Sequence, residues 1–242
     1  MNSQPSHAPQ GTDQESASDA TPLVVIGITG IIGSGKSTVA HWIREAGHTV
    51  ASSDETATRL MNTDVHLQDQ LRASFGGEIF NEDNTLNRSA LAALVFGETP
   101  DHHARLSLLN RLVHPRVLEE HEHQLRQAEA AGLSRMFIES ALIYEAGLED
   151  AFDYILAIDA PADACVARVR ERSGLSEQQI RSRMSEQMSS AEKTRHADFV
   201  LHNDSTLAAL RDAFMNLLPI LAILPPRTAE DESDDGSDSA EE

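Results

Sequence analysis

The sequence predicts an α/β fold in which helices flank a five-stranded, doubly wound parallel sheet. Two observations carry this prediction. Short apolar, β-branched segments alternate along the chain with longer segments of helical spacing, as in parallel sheets whose strands are joined by helices. The first short segment, residues 23–29, is apolar almost without interruption, which is typical of a strand buried on both faces.

The elements are expected in a simple order. After the first strand comes a glycine-rich segment and then a helix that begins near residue 37. Four further strands are predicted at residues 48–51, 135–138, 154–158 and 199–201. The connection between the second and third strands has Leu-rich segments of helical spacing, interrupted by turn signals at residues 76–77 and 83–84. It is too long for a simple crossover, so we predict an inserted helical subdomain.

This order divides the chain into a core with two helical additions. We predict the folded domain at residues 23–224, with its core at 23–54, 132–160 and 197–224, the insert at 55–131 and a helical lid at 161–196. The ends, residues 1–22 and 225–242, are acidic and poor in apolar residues, which predicts disordered tails.

Charge and composition exclude several classes of function. The chain has 242 residues with 39 acidic and 19 basic side chains, and its net charge of -20 argues against nucleic acid and membrane partners. The longest apolar run, residues 217–224, is too short to cross a bilayer. The single cysteine, Cys165, excludes an internal disulfide, and no Cys/His cluster has zinc-site spacing. We therefore expect a cytoplasmic protein that binds anions only at a local site.

One motif provides such a site. Residues 30–37, GIIGSGKS, match the phosphate-binding pattern G-x-x-x-x-G-K-[ST] between a strand and a helix. Backbone N–H groups and the helix N-terminus bind phosphate oxygens, Lys36 is expected to reach the β- and γ-phosphates, and the Ser37 hydroxyl to hold Mg²⁺. We expect the Lys36 side chain to be exposed in the empty site. The predicted ATP-binding residues here are Gly30, Ile31, Ile32, Gly33, Ser34, Gly35, Lys36, Ser37 and Thr38.

A P-loop alone does not distinguish a kinase from a GTPase or a motor ATPase. The guanine-binding pattern N-K-x-D is absent, and no second run of four apolar residues ending in aspartate is apparent. The third strand ends at Glu139, a candidate for binding Mg²⁺ through water. The small size and the helical insert favour a metabolite kinase, with ATP as co-substrate.

Further segments resemble one family of such kinases. They are GITGIIGSGKST at residues 27–38, SDE at 53–55, LNR at 86–88, LNRLVHP at 109–115 and ALIYE at 141–145, followed by Gln187, Lys193, Arg195, ADFV at 197–200 and Asn203. In this order and spacing they resemble the dephospho-CoA kinases. The resemblance covers about residues 23–220 and leaves out only the two ends.

The resemblance implies transfer of the ATP γ-phosphoryl group to the ribose 3′-hydroxyl of dephospho-CoA, the last step of coenzyme A synthesis. It implies a P-loop kinase with a helical acceptor domain and a lid, in a monomer or small homo-oligomer. Asp54 then faces the acceptor hydroxyl, Arg88 and the His114-Pro115 turn position the acceptor, and Asn203 lies near the adenine.

The residues themselves support part of this. Asp54 follows the second strand beside the P-loop, where a carboxylate can accept a hydroxyl proton, although it can instead cap a helix. Arg168 and Arg172 share a helix face and are candidates to close over phosphates, or they belong to a solvated helix. His114 either binds the acceptor or only packs.

Three departures from the family keep alternatives open, and one of them is Ala141-Leu142-Ile143 in place of the usual Pro-Leu-Leu. Ser52-Ser53-Asp54 stands where the family usually has Asp-Ala-Asp, and Ile31 replaces a glycine of the P-loop. Ile31 is expected to be tolerated if its φ is negative. The remaining alternatives are another P-loop small-metabolite kinase, which would not need Arg88 and His114 at these positions, and a degenerate ATP-binding regulator, which the loss of a carboxylate at Ser52 makes conceivable.

Overall fold

A computed structural model describes residues 22–97 and 99–227. Its centre is one sheet of five parallel strands in the order β2-β3-β1-β4-β5. The strands are β1 (Val24–Thr29), β2 (Thr49–Ser52), β3 (Arg135–Glu139), β4 (Tyr154–Asp159) and β5 (Phe199–His202). The predicted five-stranded parallel sheet is therefore confirmed, and each strand lies within one residue of its predicted position at either end.

The main core lies between the sheet and two helices, α1 (Lys36–Glu45) and α9 (Leu207–Leu221). Ile26 and Ile28 of β1 are fully buried and pack in one cluster with Phe137 and Phe214. Trp42 of α1 stacks at a tilt on Phe214, with their ring centroids 5.7 Å apart. Apolar burial on this face fixes α1, and with it the loop that precedes it.

The insert between β2 and β3 is helical, as predicted. It contains α2 (Ser53–Thr63), α3 (Val65–Phe75), α4 (Arg88–Val95) and α5 (Pro100–Ala130). These helices enclose a second apolar cluster, in which Leu67, Leu71 and Ile79 are fully buried. The insert thus has its own core, and α2 begins directly where β2 ends.

His114 and Pro115 do not form a turn, and this expectation was wrong. Both lie inside α5, a single helix of 31 residues. Proline removes one backbone N–H and favours a helix end. Here the apolar residues on either side, such as Val113 and Val117, are buried in the same cluster. Their packing keeps α5 helical on both sides of Pro115.

The predicted lid segment contains three helices, α6 (Ala162–Ser173), α7 (Glu177–Ser185) and α8 (Ser190–His196). Val166 and Val169 of α6 pack against Ile180 of α7. Both α7 and α8 begin with a capping box, in which a serine hydroxyl and an acidic or amide side chain exchange hydrogen bonds with the backbone. The apolar contact joins α6 to α7, and the capping boxes fix where α7 and α8 begin.

The described chain continues beyond residue 224 as far as Arg227. The Arg227 backbone N–H donates to Asp153 at 2.9 Å, and its guanidinium pairs with Asp198 and lies 5.0 Å from the Tyr154 ring centroid. Residues 1–21 and 228–242, which hold most of both predicted tails, lie outside the described residues. No helix within the described part of the chain is long and apolar enough to cross a membrane.

Candidate active site

The P-loop connects β1 to α1 at the carboxyl edge of the sheet, where parallel α/β sheets bind ligands. Two glycines of the loop show why other residues do not fit there. Gly33 has φ +81° and a Cβ there would lie 2.6 Å from the Cys165 carbonyl oxygen, while Gly35 has φ +108° and would meet Asn203 Nδ2 at the same distance. Close packing around these glycines therefore fixes the loop.

Only part of the predicted ATP-binding segment lines the cavity beside it. The lining residues are Ile32, Gly33, Gly35, Lys36, Ser37 and Thr38. Ser34 is fully buried, and Ile31 packs against Ala160 and Cys165. Within the described chain only Asn84 has a positive φ among non-glycine residues, so Ile31 meets the condition under which it is tolerated. Ile31 and Ser34 contribute packing to the loop.

Lys36 is buried, against our expectation that it would be exposed. Its exposed fraction is 7%, and Nζ donates to the Ile31 carbonyl at 3.1 Å because the loop folds back over the side chain. Burial lowers the pKa of Lys36, and the nearby Glu139 and Asp54 oppose that shift. The ammonium group is thus held among the P-loop backbone and two carboxylates before any phosphate arrives.

Glu139 connects the P-loop to the second strand. Strand register places Ser52 opposite Glu139, and the Ser52 hydroxyl donates to Glu139 Oε2 at 2.6 Å. The Ser37 hydroxyl donates to Glu139 Oε1 at 3.0 Å. Glu139 is 5% exposed, so both of its oxygens are satisfied by hydroxyls in a nearly closed position.

Asp54 lies in the first turn of α2 and lines the same cavity as the P-loop. The alternative that Asp54 caps this helix is wrong: the N-cap is Ser52, whose hydroxyl accepts from the Glu55 N–H at 3.5 Å. Burial raises the pKa of Asp54, as does Glu139, whereas Lys36 and Arg172 oppose the shift. A carboxyl group with a raised pKa is a better proton acceptor once ionised.

Asp54 differs from the other carboxylates of the cavity, which are Glu139, Glu145 and Glu186. Glu145 pairs with Lys193 Nζ at 2.7 Å, and Glu186 Oε1 lies 2.9 Å from His103 Nδ1. Of these four, and within the part of the chain that the structure describes, Asp54 alone has no hydrogen bond or ion pair. Its oxygens are available to a ligand.

The two predicted lid arginines lie on α6 and line the cavity. Arg168 donates to the Asn203 carbonyl at 3.1 Å and to its side-chain oxygen at 3.3 Å. Arg172 is near enough to Asp54 to lower its pKa. These guanidinium groups therefore border the P-loop side of the cavity.

Of the remaining predicted site residues, one lines the cavity and two do not. His114 lines the cavity from α5, and burial lowers its pKa. Arg88 does not line this cavity; it donates to Thr58 Oγ1 at 2.9 Å and borders a smaller depression that it shares with Asp54. Asn203 is 6% exposed and donates to the Ser34 carbonyl at 2.7 Å, so its side chain supports the P-loop from behind.

The cavity is at the upper end of the size range of small-molecule sites. It has a volume of about 940 Å³ and lies between the P-loop, α6, α7 and the insert helix α5. Its cationic lining includes Lys36, Arg111, Arg168, Arg172 and Arg183. The arrangement of a phosphate-binding loop, several cations and one free carboxylate suits phosphoryl transfer to a hydroxyl.

Sequence reasoning overlooked several residues. An apolar run ending in aspartate does exist, at Ile155–Asp159 in β4, but the Asp159 carboxylate accepts from Ser190 at 2.6 Å and contacts His202 at 3.0 Å. The Glu145–Lys193 pair and the cavity position of Arg183 were also missed. The chain has only two lysines, Lys36 and Lys193. This scarcity was the available signal that Lys193 forms such a pair.

Comparisons with known proteins agree with this arrangement. A family model described as dephospho-CoA kinase matches residues 24–209. A dephospho-CoA kinase from Salinibacter ruber is 39% identical over 189 residues, which cover 78% of this chain and 93% of that protein. A dephospho-CoA kinase from Deinococcus radiodurans is 37% identical over 198 residues, covering 81% and 92% respectively.

Solved structures give the same picture of the fold. A crystal structure of a Thermus thermophilus protein has a TM-score of 0.64 and 36% identity, and covers 82% of this chain and 97% of its own. A dephospho-CoA kinase from Campylobacter jejuni has a TM-score of 0.57 with the same coverage, and at 20% identity it supports the fold alone.

Proposed function

The chain belongs to the dephospho-CoA kinase family, and we propose that Asp54 is the base of its reaction. That reaction transfers the γ-phosphoryl group of ATP to the ribose 3′-hydroxyl of dephospho-CoA. The observation that carries our assignment is the Asp54 carboxylate, which lines the P-loop cavity and makes no hydrogen bond or ion pair with the described residues.

The P-loop binds the triphosphate of ATP. Backbone N–H groups at the N-terminus of α1 converge on the cavity, and the helix dipole favours an anion there. The Lys36 ammonium exchanges its bond with the Ile31 carbonyl for the β- and γ-phosphate oxygens. Because this cation is already desolvated, its attraction for phosphate is strong.

Asp54 orients the acceptor hydroxyl and takes its proton. The hydroxyl oxygen forms a bond to the γ-phosphorus as the bond from that phosphorus to the β–γ bridging oxygen breaks, which releases ADP. The proton passes to an Asp54 carboxylate oxygen. Arg168 and Arg172 of α6 neutralise charge on the transferred group, since both line the P-loop side of the cavity.

Ser37 and Glu139 are the residues that we propose to hold Mg²⁺. A hydroxyl and a carboxylate are the hard oxygen ligands that Mg²⁺ takes, usually one or two from protein beside water and phosphate. Their 3.0 Å contact at the foot of the P-loop fits this requirement. When bound, the ion neutralises charge on the phosphate oxygens.

The acceptor occupies the insert side of the cavity in this proposal. His114 lines that side directly, whereas Arg88 reaches the acceptor only through the smaller depression beside Asp54. Asn203 contributes to ATP binding through the P-loop that it supports. The presence of Asp54 without a hydrogen bond or ion pair beside an intact P-loop argues against a regulator that binds ATP without catalysis.

We further propose that the protein works in the cytoplasm, where ATP is plentiful.

One assay tests the function. The purified full chain is incubated with ATP, Mg²⁺ and dephospho-CoA, and ADP release is followed by a coupled assay while coenzyme A is identified by mass. A panel of nucleosides and sugar acids serves as competing acceptors. We expect dephospho-CoA to give the highest kcat/KM, and a better alternative acceptor would reject the proposed substrate.

A further inference from the structure

Arg183 of α7 reaches into the cavity from the lid side and lies against the insert. Its guanidinium carbon is 3.7 Å from the ring centroid of Phe96, the residue directly after α4. The Arg183 side chain is half-buried, and its Nε is fully buried without a hydrogen-bond acceptor. This arginine is therefore held by a stacking contact and not by an ion pair.

No carboxylate neutralises Arg183 within residues 22–97 and 99–227. The cavity glutamates are bound elsewhere, and the charged neighbours that shift the pKa of Asp54 do not include Arg183. Burial lowers the pKa of Arg183, and no nearby charge opposes that shift. A guanidinium stays protonated in proteins, so a desolvated one without a counter-charge is costly until an anion binds.

Two helices of the lid, α6 and α7, bring arginines to different parts of the cavity. On α6, Arg168 contacts Asn203 behind the P-loop and Arg172 lies near Asp54. The α7 end of the lid contacts both the P-loop and the insert: Gln187 accepts from the Ile32 N–H at 2.9 Å, whereas Arg183 stacks on Phe96 and Glu186 lies beside His103. Because Arg183 stacks on Phe96 of the insert, an anion bound at its guanidinium lies beside the insert, the side that we assign to the acceptor.

We propose that Arg183 binds the diphosphate of the acceptor, with the Phe96 ring as its platform. This inference rests on the proposed function, because dephospho-CoA carries its adenosine on a diphosphate. Stacking uses the flat face of the guanidinium and leaves its edge N–H groups free, and that edge matches two phosphate oxygens at once. Arg183 would then select acceptors that carry a 5′-diphosphate.

Arg183→Met tests this, since it keeps an apolar stem over Phe96 and removes the charge. We expect the KM for dephospho-CoA to rise about 10-fold or more, the scale of a lost charge-assisted hydrogen bond, while the KM for ATP stays within about twofold. Arg183→Lys keeps the charge without the planar edge and is expected to fall between. The matched control is Arg181→Met on the same helix, an exposed residue that pairs with Asp163 and Glu177. Neither KM should change in it.

Other results would overturn the inference. A rise in the KM for ATP alone, or an equal rise for both substrates, would assign Arg183 to the nucleotide or to lid closure. A lower thermal midpoint with both KM values unchanged would show that the contact between Arg183 and Phe96 contributes only to stability. If Arg183→Met does not fold, Arg183→Gln is measured in the same way. If the wild-type chain fails to phosphorylate dephospho-CoA, the proposed function itself is rejected. If the wild type turns over normally and the KM for dephospho-CoA is unchanged in Arg183→Met, only this inference is rejected.

Discussion

The hydroxyl of Ser52 donates to Glu139 Oε2 at 2.6 Å across the β2–β3 register, and the other oxygen of Glu139 accepts from Ser37 at 3.0 Å. One carboxylate thus bridges the second strand and the P-loop. The Ser52 hydroxyl fixes which Glu139 oxygen faces the loop, because a buried carboxylate keeps the orientation that its donors impose.

Ser52→Ala should weaken this bridge. We expect the Mg²⁺ concentration for half-maximal ATP binding to rise several-fold, and the free energy of unfolding to fall by about 2 kcal/mol from the lost charge-assisted bond and helix cap. Binding of a fluorescent ATP analogue over a Mg²⁺ titration measures the first effect, and urea unfolding measures the second.

The adjacent serine provides the control. Ser53 contacts His121 Nε2 at 3.0 Å and does not touch Glu139, so Ser53→Ala should leave the Mg²⁺ dependence unchanged. Ser52→Thr retains the hydroxyl and should show the Mg²⁺ dependence of the wild type. Equal Mg²⁺ dependence in Ser52→Ala and wild type would show that Ser52 contributes only to stability.

Lys36→Ala should nearly abolish transfer. The ammonium group is desolvated beside the P-loop, and removal of such a preorganised charge costs several kcal/mol in the transition state, or about 10³-fold in kcat. The thermal midpoint should change little, since burial disfavours the charged form that the variant removes. Steady-state kinetics and a melting curve on one preparation test both statements. Retention of a tenth of the wild-type kcat would contradict the P-loop assignment.

Sequence patterns were sufficient for the sheet and the P-loop because both depend on local order. Residues 24–29 are apolar and β-branched, and the loop that follows needs glycine at fixed positions for backbone reasons. These signals lie within a few residues of the structure they specify.

The parts that the sequence did not reveal depend on contacts between distant segments. Ser52 and Glu139 are separated by 87 residues, and Glu145 and Lys193 by 48. The burial of Lys36 follows from the path of the loop, and the continuation of α5 through Pro115 follows from packing on both sides of it. No local pattern distinguishes a serine that binds a glutamate from one that faces solvent.

Lys193→Met should destabilise the fold more than any surface change. Lys193 is fully buried, and its Nζ donates to both Glu145 oxygens at 2.7 and 2.8 Å and to the Ala141 carbonyl at 2.9 Å. Loss of one partner leaves a poorly hydrated carboxylate, which costs about 3 kcal/mol. Urea unfolding measures this loss. Addition of Glu145→Gln removes the orphaned charge and should recover part of the stability, and a double variant no more stable than Lys193→Met would show that the pair is not coupled.

Asp54→Asn separates a catalytic role from a structural one. Asp54 is not the N-cap of α2, and its raised pKa means that ionisation of this carboxyl is less favourable in the folded state than in the unfolded chain. Removal of the charge should therefore leave the thermal midpoint equal or slightly higher. The loss of a positioned base should reduce kcat by about 10²-fold, while ATP binding at the untouched P-loop stays the same.

The pH dependence of the wild type gives a second readout of the same group. A base must be ionised to accept a proton, so kcat/KM should fall as the pH drops through the pKa of Asp54. Because burial and Glu139 raise that pKa, the decline should begin at a higher pH than an ordinary aspartate would give. The residual activity of Asp54→Asn should lack this acidic decline. Near-wild-type turnover in the variant, with the acidic decline intact, would remove Asp54 from the mechanism. Glu139 or Glu145 could then replace it only if the hydrogen bonds that each already makes were broken.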